Sequence, residues 1–276
     1  MGLKYDETGR LHIETPLMAE SLMDKALLAG TETDSVFRAM PDLNVVKLGG
    51  QSIIDRGSQV VLPLLDEIVA ARTEHQVLVM TGGGTRSRHV YSIALDLGMP
   101  TGVLAKLGES ISEQNSLMLS MLLAPYGGIK IGHDDVVKLP AYMALGSIPV
   151  MHAMPPYGLW EEPAPQGRIP PHRTDSGVFL TAEVVGAKRC ILVKDERGLF
   201  TADPKKDPKA DFIQEIEVNE LLALDLADLA VERAMLQALA RARNVAEVFI
   251  INGREAGNLT RALGGENPGT RIYRRE

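Results

Sequence analysis

The stretch Val45-Val46-Lys47-Leu48-Gly49-Gly50-Gln51-Ser52 is an apolar strand that delivers one lysine and two glycines into a turn, ahead of a helix beginning near Ser58. Glycines let backbone N–H groups come close to an anion, and a lysine at the strand end adds a point charge, so the turn suits phosphate. A plain strand-to-helix turn with a solvated lysine is the other reading of the same residues. Working outward, short β-branched runs alternate with helical periodicity from Val45 onward, the pattern of a parallel sheet covered by helices. The expected strands are Val45–Leu48, Val77–Thr81, Gly128–Ile131, Ile148–His152, Cys190–Lys194 and Val248–Asn252, with Thr270–Tyr273 as a last edge strand. Val60, Val61, Leu64, Leu65, Ile68 and Val69 recur at helical spacing, as do Val90, Ile93, Ala94 and Leu97 before a Gly98 stop. The fold class is therefore α/β.

With 276 residues, 45% hydrophobic and 24% charged, the chain can bury a full core. Residues 1–40 read as an N-terminal arm with a short amphipathic stretch, Met18 to Leu28, and residues 41–276 as one domain. No apolar run approaches the ~20 residues of a membrane span, and Met1 to Arg10 lacks a signal-peptide block, so a cytoplasmic location is the expectation. A net charge of −7 speaks against a general nucleic-acid binder. The single cysteine, Cys190, sits in an apolar run and reads as a buried small hydrophobe. Met118, Met121 and Leu122 read as a core stripe, and Trp160, the only tryptophan, as packing at a loop or a subunit interface.

Three further segments carry chemistry. Gly82-Gly83-Gly84 ends the second strand and leads into the basic helix start Thr85-Arg86-Ser87-Arg88-His89. In an open α/β sheet ligands bind beyond the carboxyl ends of the strands, so both glycine turns would face one crevice; a tight turn alone would also need the glycines. Thr174-Asp175 opens a helix and could set a carboxylate beside the phosphates, to orient the lysine or hold Mg²⁺; either residue could equally serve as an N-cap. Lys194-Asp195-Glu196-Arg197-Gly198-Leu199-Phe200-Thr201-Ala202-Asp203-Pro204 ends a strand and, by itself, is only a polar turn. Ala153 to Arg173, with six prolines, is a long loop of the kind that is more often functional than idle.

In order and chemistry these four segments resemble the amino acid kinase superfamily, and within it the uridylate kinase branch. The resemblance spans 43–273 and implies a three-layer α/β/α fold with ATP across the strand ends. It implies Lys47, Gly49, Gly50 and Gly82 to Gly84 on the phosphates, Asp175 near Mg²⁺ with Thr174 also binding the cofactor, and Lys194, Asp195, Gly198, Phe200, Asp203 and Pro204 around adenine and ribose. Lys47 and Asp175 would be the catalytic pair. The N-lobe, about 41–170, would face the acceptor and the C-lobe, about 171–276, the nucleotide. Two departures stand out: Gly50 occupies the place of a serine, and Arg197 the place of the aspartate in Asp-Gly. Gly108 to Asn115 replaces the uridylate-binding Gly-Asp element.

Within that superfamily, Lys47 to Gly57, Arg88 to Ser92, Gln114-Asn115, Met154 to Trp160, Ile169 to Asp175 and Asn258 to Leu263 are similar to the molybdenum storage proteins, chiefly the β-type subunit. That resemblance implies ATP and Mg²⁺ as cofactors, molybdate or tungstate as stored cargo, and a cage of six subunits, either homo-hexamer or hetero-hexamer with a sister chain. Where the α-type subunit carries a histidine cluster, this chain has Gly158 to Glu162, yet His172 follows the α-type pattern. Imidazoles suit oxometalate oxygens. His133 and His152, each next to a strand end, could reach a cage interior, as could His172, and His89 lies beside Arg86 and Arg88; structural roles are the alternative. His12 and His75 receive no role. Besides oxometalate storage, a uridylate-kinase-like phosphotransferase with Arg86 and Arg88 on its acceptor, and a non-enzymatic nucleotide binder, are compatible with the sequence.

Overall fold

The computed structural model describes residues 4–12, 15, 17, 22–33 and 35–275, and divides the chain into two units, residues 1–37 and 38–276. In the first, two-residue strands Lys4–Tyr5 and Leu11–His12 pair antiparallel, and Asp24 caps the short helix Lys25–Ala29. Residues 18–21 of the expected amphipathic stretch lie outside the described residues.

The second unit is built on an eight-stranded sheet: β1 (Leu43–Leu48), β2 (Gln76–Thr81), β3 (Gly128–Lys130), β4 (Ile148–His152), β5 (Arg189–Lys194), β6 (Glu215–Glu217), β7 (Glu247–Asn252) and β8 (Thr270–Tyr273), in spatial order β6-β8-β7-β5-β1-β2-β4-β3. Neighbours pair in parallel except β7 with β8. Thr270–Tyr273 is thus not an edge strand. Glu215–Glu217 pairs outside it, and that polar Glu-Ile-Glu triplet carries no apolar run to betray a strand.

Helices cover both faces, α1 (Ser58–Ala71), α2 (Thr85–Asp96), α3 (Thr101–Leu123), α4 (Leu139–Ala144), α5 (Thr174–Val185), α6 (Val218–Ala223), α7 (Arg233–Ala240) and α8 (Asn258–Gly264). The alternation of β1 divides the core. Leu43 and Val45 pack in one cluster with Phe179 of α5 and Leu236 of α7; Val46 and Leu48 pack in another with Leu64 of α1, Leu123 of α3 and Leu263 of α8. Both faces of the central strands are buried, which is why they read as continuous apolar runs. The result is the expected three-layer α/β/α sandwich. Cys190 is buried in this core, and burial pushes its thiol up, so it behaves as a small hydrophobe.

The core expectation for the α3 stripe fails, and of the two places expected for Trp160, packing within its own loop fails. The buried side of α3 runs through Gly108, Ser112, Asn115, Ser116, Leu119, Ser120 and Leu123, whereas Met118, Met121 and Leu122 are exposed. Ser112 and Asn115 face inward because they bond to Thr81 and to the second glycine turn, and the apolar stripe points outward. Trp160 is 90% exposed and packs on nothing in its own loop.

Candidate functional site

Three strand ends lie level. Leu48 stands opposite Thr81 of β2 and Val193 of β5, the Gly49 N–H donates to the Val193 carbonyl at 3.0 Å, and the Gly82 N–H donates to the Leu48 carbonyl at 3.0 Å. β2 and β5 leave β1 in opposite directions across the sheet, which opens a crevice at the strand ends. The cleft there holds about 590 Å³ and is lined by Lys47, both glycine turns, Ser87, Arg88, Tyr91, Arg173, Thr174, Lys194 and Asp195.

The two glycine turns touch backbone to backbone. A Cβ on Gly50 would stand 2.1 Å from the Gly84 nitrogen and 2.6 Å from its Cα. That contact leaves no room for a side chain at Gly50. Asn115 donates to the carbonyls of Gly82 (2.6 Å) and Gly83 (3.3 Å), and Ser112 and Thr81 bond to each other's carbonyls, so α3 fixes the second turn from below. Arg86 donates to Gln114 and Asn115, which turns it toward α3 instead of the cleft, while Arg88 lines the cleft. The matching Gln114-Asn115 string therefore has a local purpose. Ser87 is buried at the cleft wall with a hydroxyl that has no partner among the described residues, a group a bound oxyanion would satisfy.

Lys47, on the α5 side of β1, donates to Asp175 Oδ1, and Lys194, at the end of β5, donates to Asp175 Oδ2 at 3.1 Å and Oδ1 at 3.4 Å. Lys194 also donates to the Ala230 carbonyl. Lys47 and Asp175 are 5% and 4% exposed. Burial alone would push the Asp175 carboxyl up, but Lys194 and Lys47 outweigh it and hold the group well below the carboxylate range. Burial lowers Lys194 from its usual value against the opposing pull of Asp175. The site thus keeps a carboxylate that fixes two ammonium groups at one cleft wall.

Neither Thr174 nor Asp175 is an N-cap: Arg173 holds that position, and its side chain makes no capping bond but donates to the Pro170 carbonyl at 3.1 Å and pairs with Glu232 at 3.8 Å. Glu232, the residue sequence reasoning missed, supplies the acceptors. It takes hydrogen bonds from the N–H groups of Arg173 (2.9 Å), Asp175 (2.9 Å) and Ser176 (3.0 Å) and from the Ser176 hydroxyl (2.6 Å). Gly177 seats the same turn, since a Cβ there would stand 2.0 Å from the Ala153 carbonyl.

The remaining residues expected on the nucleotide side divide. Lys194 and Asp195 line the main cleft; Gly198, Phe200, Asp203 and Pro204 line an adjoining cleft of about 290 Å³, which shares Arg88 and Ala230 with the first. Asp195 pairs with Arg56 and, at 3.4 Å, with Lys205, and together they hold its carboxyl low despite burial. Arg197 lies over the Phe212 ring at 4.1 Å.

Of the four histidines, two meet. The His133 and His152 rings are edge to face at 4.4 Å, His133 Nε2 bonds to the Met154 carbonyl at 2.9 Å, and the Nδ1 of buried His152 has no partner among the described residues. Burial, with His133 beside it, pulls His152 down to about 4. His172 is held by Glu161 at 2.9 Å across the proline-rich loop, and His89 is exposed on α2. Among the described residues no three His, Cys, Asp or Glu side chains are grouped to hold a metal ion.

A doubly glycine-lined cleft at aligned strand ends, with buried lysines bridged by an aspartate, matches what the family comparison gives: the chain belongs to the amino acid kinase family, whose model covers residues 42–252. Over 260 residues it is 50% identical to the molybdenum storage protein subunit beta of Azotobacter vinelandii, an alignment covering 94% of this chain and 96% of that one. It is 26% identical over 234 residues to the uridylate kinase of Methanobrevibacter smithii, covering 83% and 97%. Among solved structures, the uridylate kinase from Archaeoglobus fulgidus superposes with a TM-score of 0.64 at 23% identity, covering 83% of this chain and 99% of that one. The UMP kinase from Bacillus anthracis gives 0.66 at 19%, covering 86% and 98%, and both likenesses show the fold.

Proposed function

We propose that this chain is a subunit of a cytoplasmic ATP- and Mg²⁺-dependent store for molybdate or tungstate, holding its cargo as polyoxometalate clusters in a six-subunit cage. The observation that carries the reading is the 50% identity, over nearly the whole of both chains, with a relative named as a molybdenum storage subunit. The cleft supplies what such a store would use. N–H groups of Gly49, Gly50 and Gly82 to Gly84 would cradle the transferring phosphoryl group. Lys47 and Lys194 would neutralise charge developing on its oxygens, and the Ser87 hydroxyl would donate to one of them. Asp175 would keep the two ammonium groups from drifting, and the clefts about Gly198 to Pro204 would take ribose and base. The acceptor would be water or an oxometalate oxygen. Mg²⁺, when bound, would neutralise the β- and γ-phosphates. Both Asp175 oxygens are taken by lysines, which does not fit a direct ligand, so the ion would ride mainly on phosphate oxygens and water.

The division of labour follows: residues 41–170 would face the oxometalate and 171–276 the nucleotide. His133 and His152 are the proposed oxometalate contact, because they stand together at a strand end and the buried His152 Nδ1 has no partner among the described residues. Arg86, tied to Gln114 and Asn115, does not offer itself to a uridylate acceptor. The outward apolar side of α3, with Leu117, Met118, Met121 and Leu122, supports assembly with a second copy or a sister subunit. The test is to incubate the protein with Mg-ATP and molybdate and measure protein-retained molybdenum and released phosphate, with uridylate in parallel. Retention no greater than in an ATP-free control sinks the storage reading, and formation of uridine diphosphate would replace it with a kinase. Lys47→Ala loading as well as the parent would show that the phosphate site lies elsewhere.

A further inference from the structure

Asp175 can bridge Lys47 and Lys194 only while the first turn of α5 is held in place, and no side-chain cap on α5 itself holds it. Its capping position carries Arg173, whose side chain makes no capping bond, so the opening N–H groups must find acceptors elsewhere. They find them 56 to 59 residues along the chain, on the buried carboxylate of Glu232, just ahead of α7. Four hydrogen-bond donors converge on its two oxygens, Oε1 taking the Asp175 N–H and Oε2 the other three, and the Arg173 guanidinium pairs with Oε1 at 3.8 Å. Two residues earlier, the Ala230 carbonyl takes a hydrogen bond from Lys194. One loop therefore grips both ends of the Asp175–Lys194 contact, and Asp228 and Ala230 of the same loop line the adjoining cleft.

We propose that Glu232 is a positioning residue for this site: it sets the Asp175 carboxylate between the two lysines by holding the Asp175 peptide, and it fills the α5 N-terminus so that an incoming anion meets the lysines and glycine turns instead. The kinetic arm of the test rests on the nucleotide reading above; the chemical arm does not.

Glu232→Gln is the informative variant. An amide keeps one acceptor oxygen and gains an N–H₂. Its least costly orientation leaves the oxygen toward the three donors of the Oε2 side and turns the N–H₂ toward Asp175, so the Asp175 N–H is the one that loses its partner. The lysines are then read by amine-selective labelling and peptide mapping. Lys47 and Lys194 should label about fivefold faster or more than in the parent, as local opening exposes them, while Lys25 is unchanged. In Mg-ATP hydrolysis, kcat should fall about tenfold or more with the KM for ATP within about threefold. Ser176→Ala, which removes one donor and keeps the carboxylate, should move both readouts the same way by about two- to threefold, and it decides the matter if Glu232→Gln does not fold. Lowered thermal stability with lysine labelling at the parent rate would make Glu232 a helix cap and nothing more, overturning the proposal. An inactive parent would refute the nucleotide reading while the labelling result still judges Glu232.

Discussion

His152 gives a quantitative expectation that needs no ligand. The ring is 6% exposed at the end of β4, and burial together with His133 lowers its pKa from about 6.5 to about 4. Above the unfolded value the ring is neutral in both states and its titration costs nothing. As pH falls from about 6.5 toward 4, the unfolded chain takes up a proton that the folded chain refuses, so stability is lost across that window. At pH 5 the unfolded ring is about 1.5 units below its pKa and the folded ring is still neutral, which at 1.36 kcal/mol per unit is about 2 kcal/mol. His152→Gln deletes this titration and leaves every other acid in place. Urea unfolding of parent and variant at about pH 7 and pH 5, followed by far-ultraviolet circular dichroism, isolates the difference. With a slope of about 3 kcal/mol per molar, the parent midpoint should fall about 0.7 M further than that of the variant. Equal falls in the two proteins would refute the buried neutral imidazole.

Asp175→Asn leaves two ammonium groups facing each other at a buried wall without a counter-charge, and should destabilise the fold by about 3–5 kcal/mol, measurable as a lowered urea midpoint. Gly50→Ala forces two backbone turns apart, since the clash is with Gly84 main-chain atoms; about 1–3 kcal/mol should be lost, with weaker retention of phosphate or ATP in an equilibrium binding assay. Met121→Lys, placed where the side chain is 65% exposed, should leave the circular dichroism of the fold unchanged and lower the mass seen by light scattering if the outward side of α3 is an assembly surface. An unaltered mass with Met121→Lys and Leu117→Asp combined would count against that surface.

The central strands were legible because burial on both faces favours apolar runs, as in Cys190 to Val193 of β5, and β1 departs from that only at Asn44 and at the site residue Lys47. β6 was not, because at the sheet edge backbone pairing alone suffices to make Glu215–Glu217 a strand. Both glycine turns could be read, since close backbone approach leaves glycine as its signature. α3 misled for a physical reason: its inward side is polar where it braces the second turn through Ser112 and Asn115, so hydrophobicity marked the wrong side. Glu232 left no local trace, because a carboxylate capping a helix from 57 or so residues away looks like any glutamate before a helix. Lys194 was expected at the site and lines the cleft, but its bond to Asp175 depends on how two separate elements meet.

The bare indole on the proline-rich loop makes the protein its own optical probe. Trp160 is the chain's sole tryptophan and is 90% exposed, so its emission should be red-shifted and readily quenched by iodide in the isolated subunit. Unfolding the sheet would barely change that signal. Whatever covers the loop, whether a neighbouring subunit or a cluster of heavy oxoanions, would register at once as a blue shift or as quenching, which allows assembly and filling to be timed in the unlabelled protein.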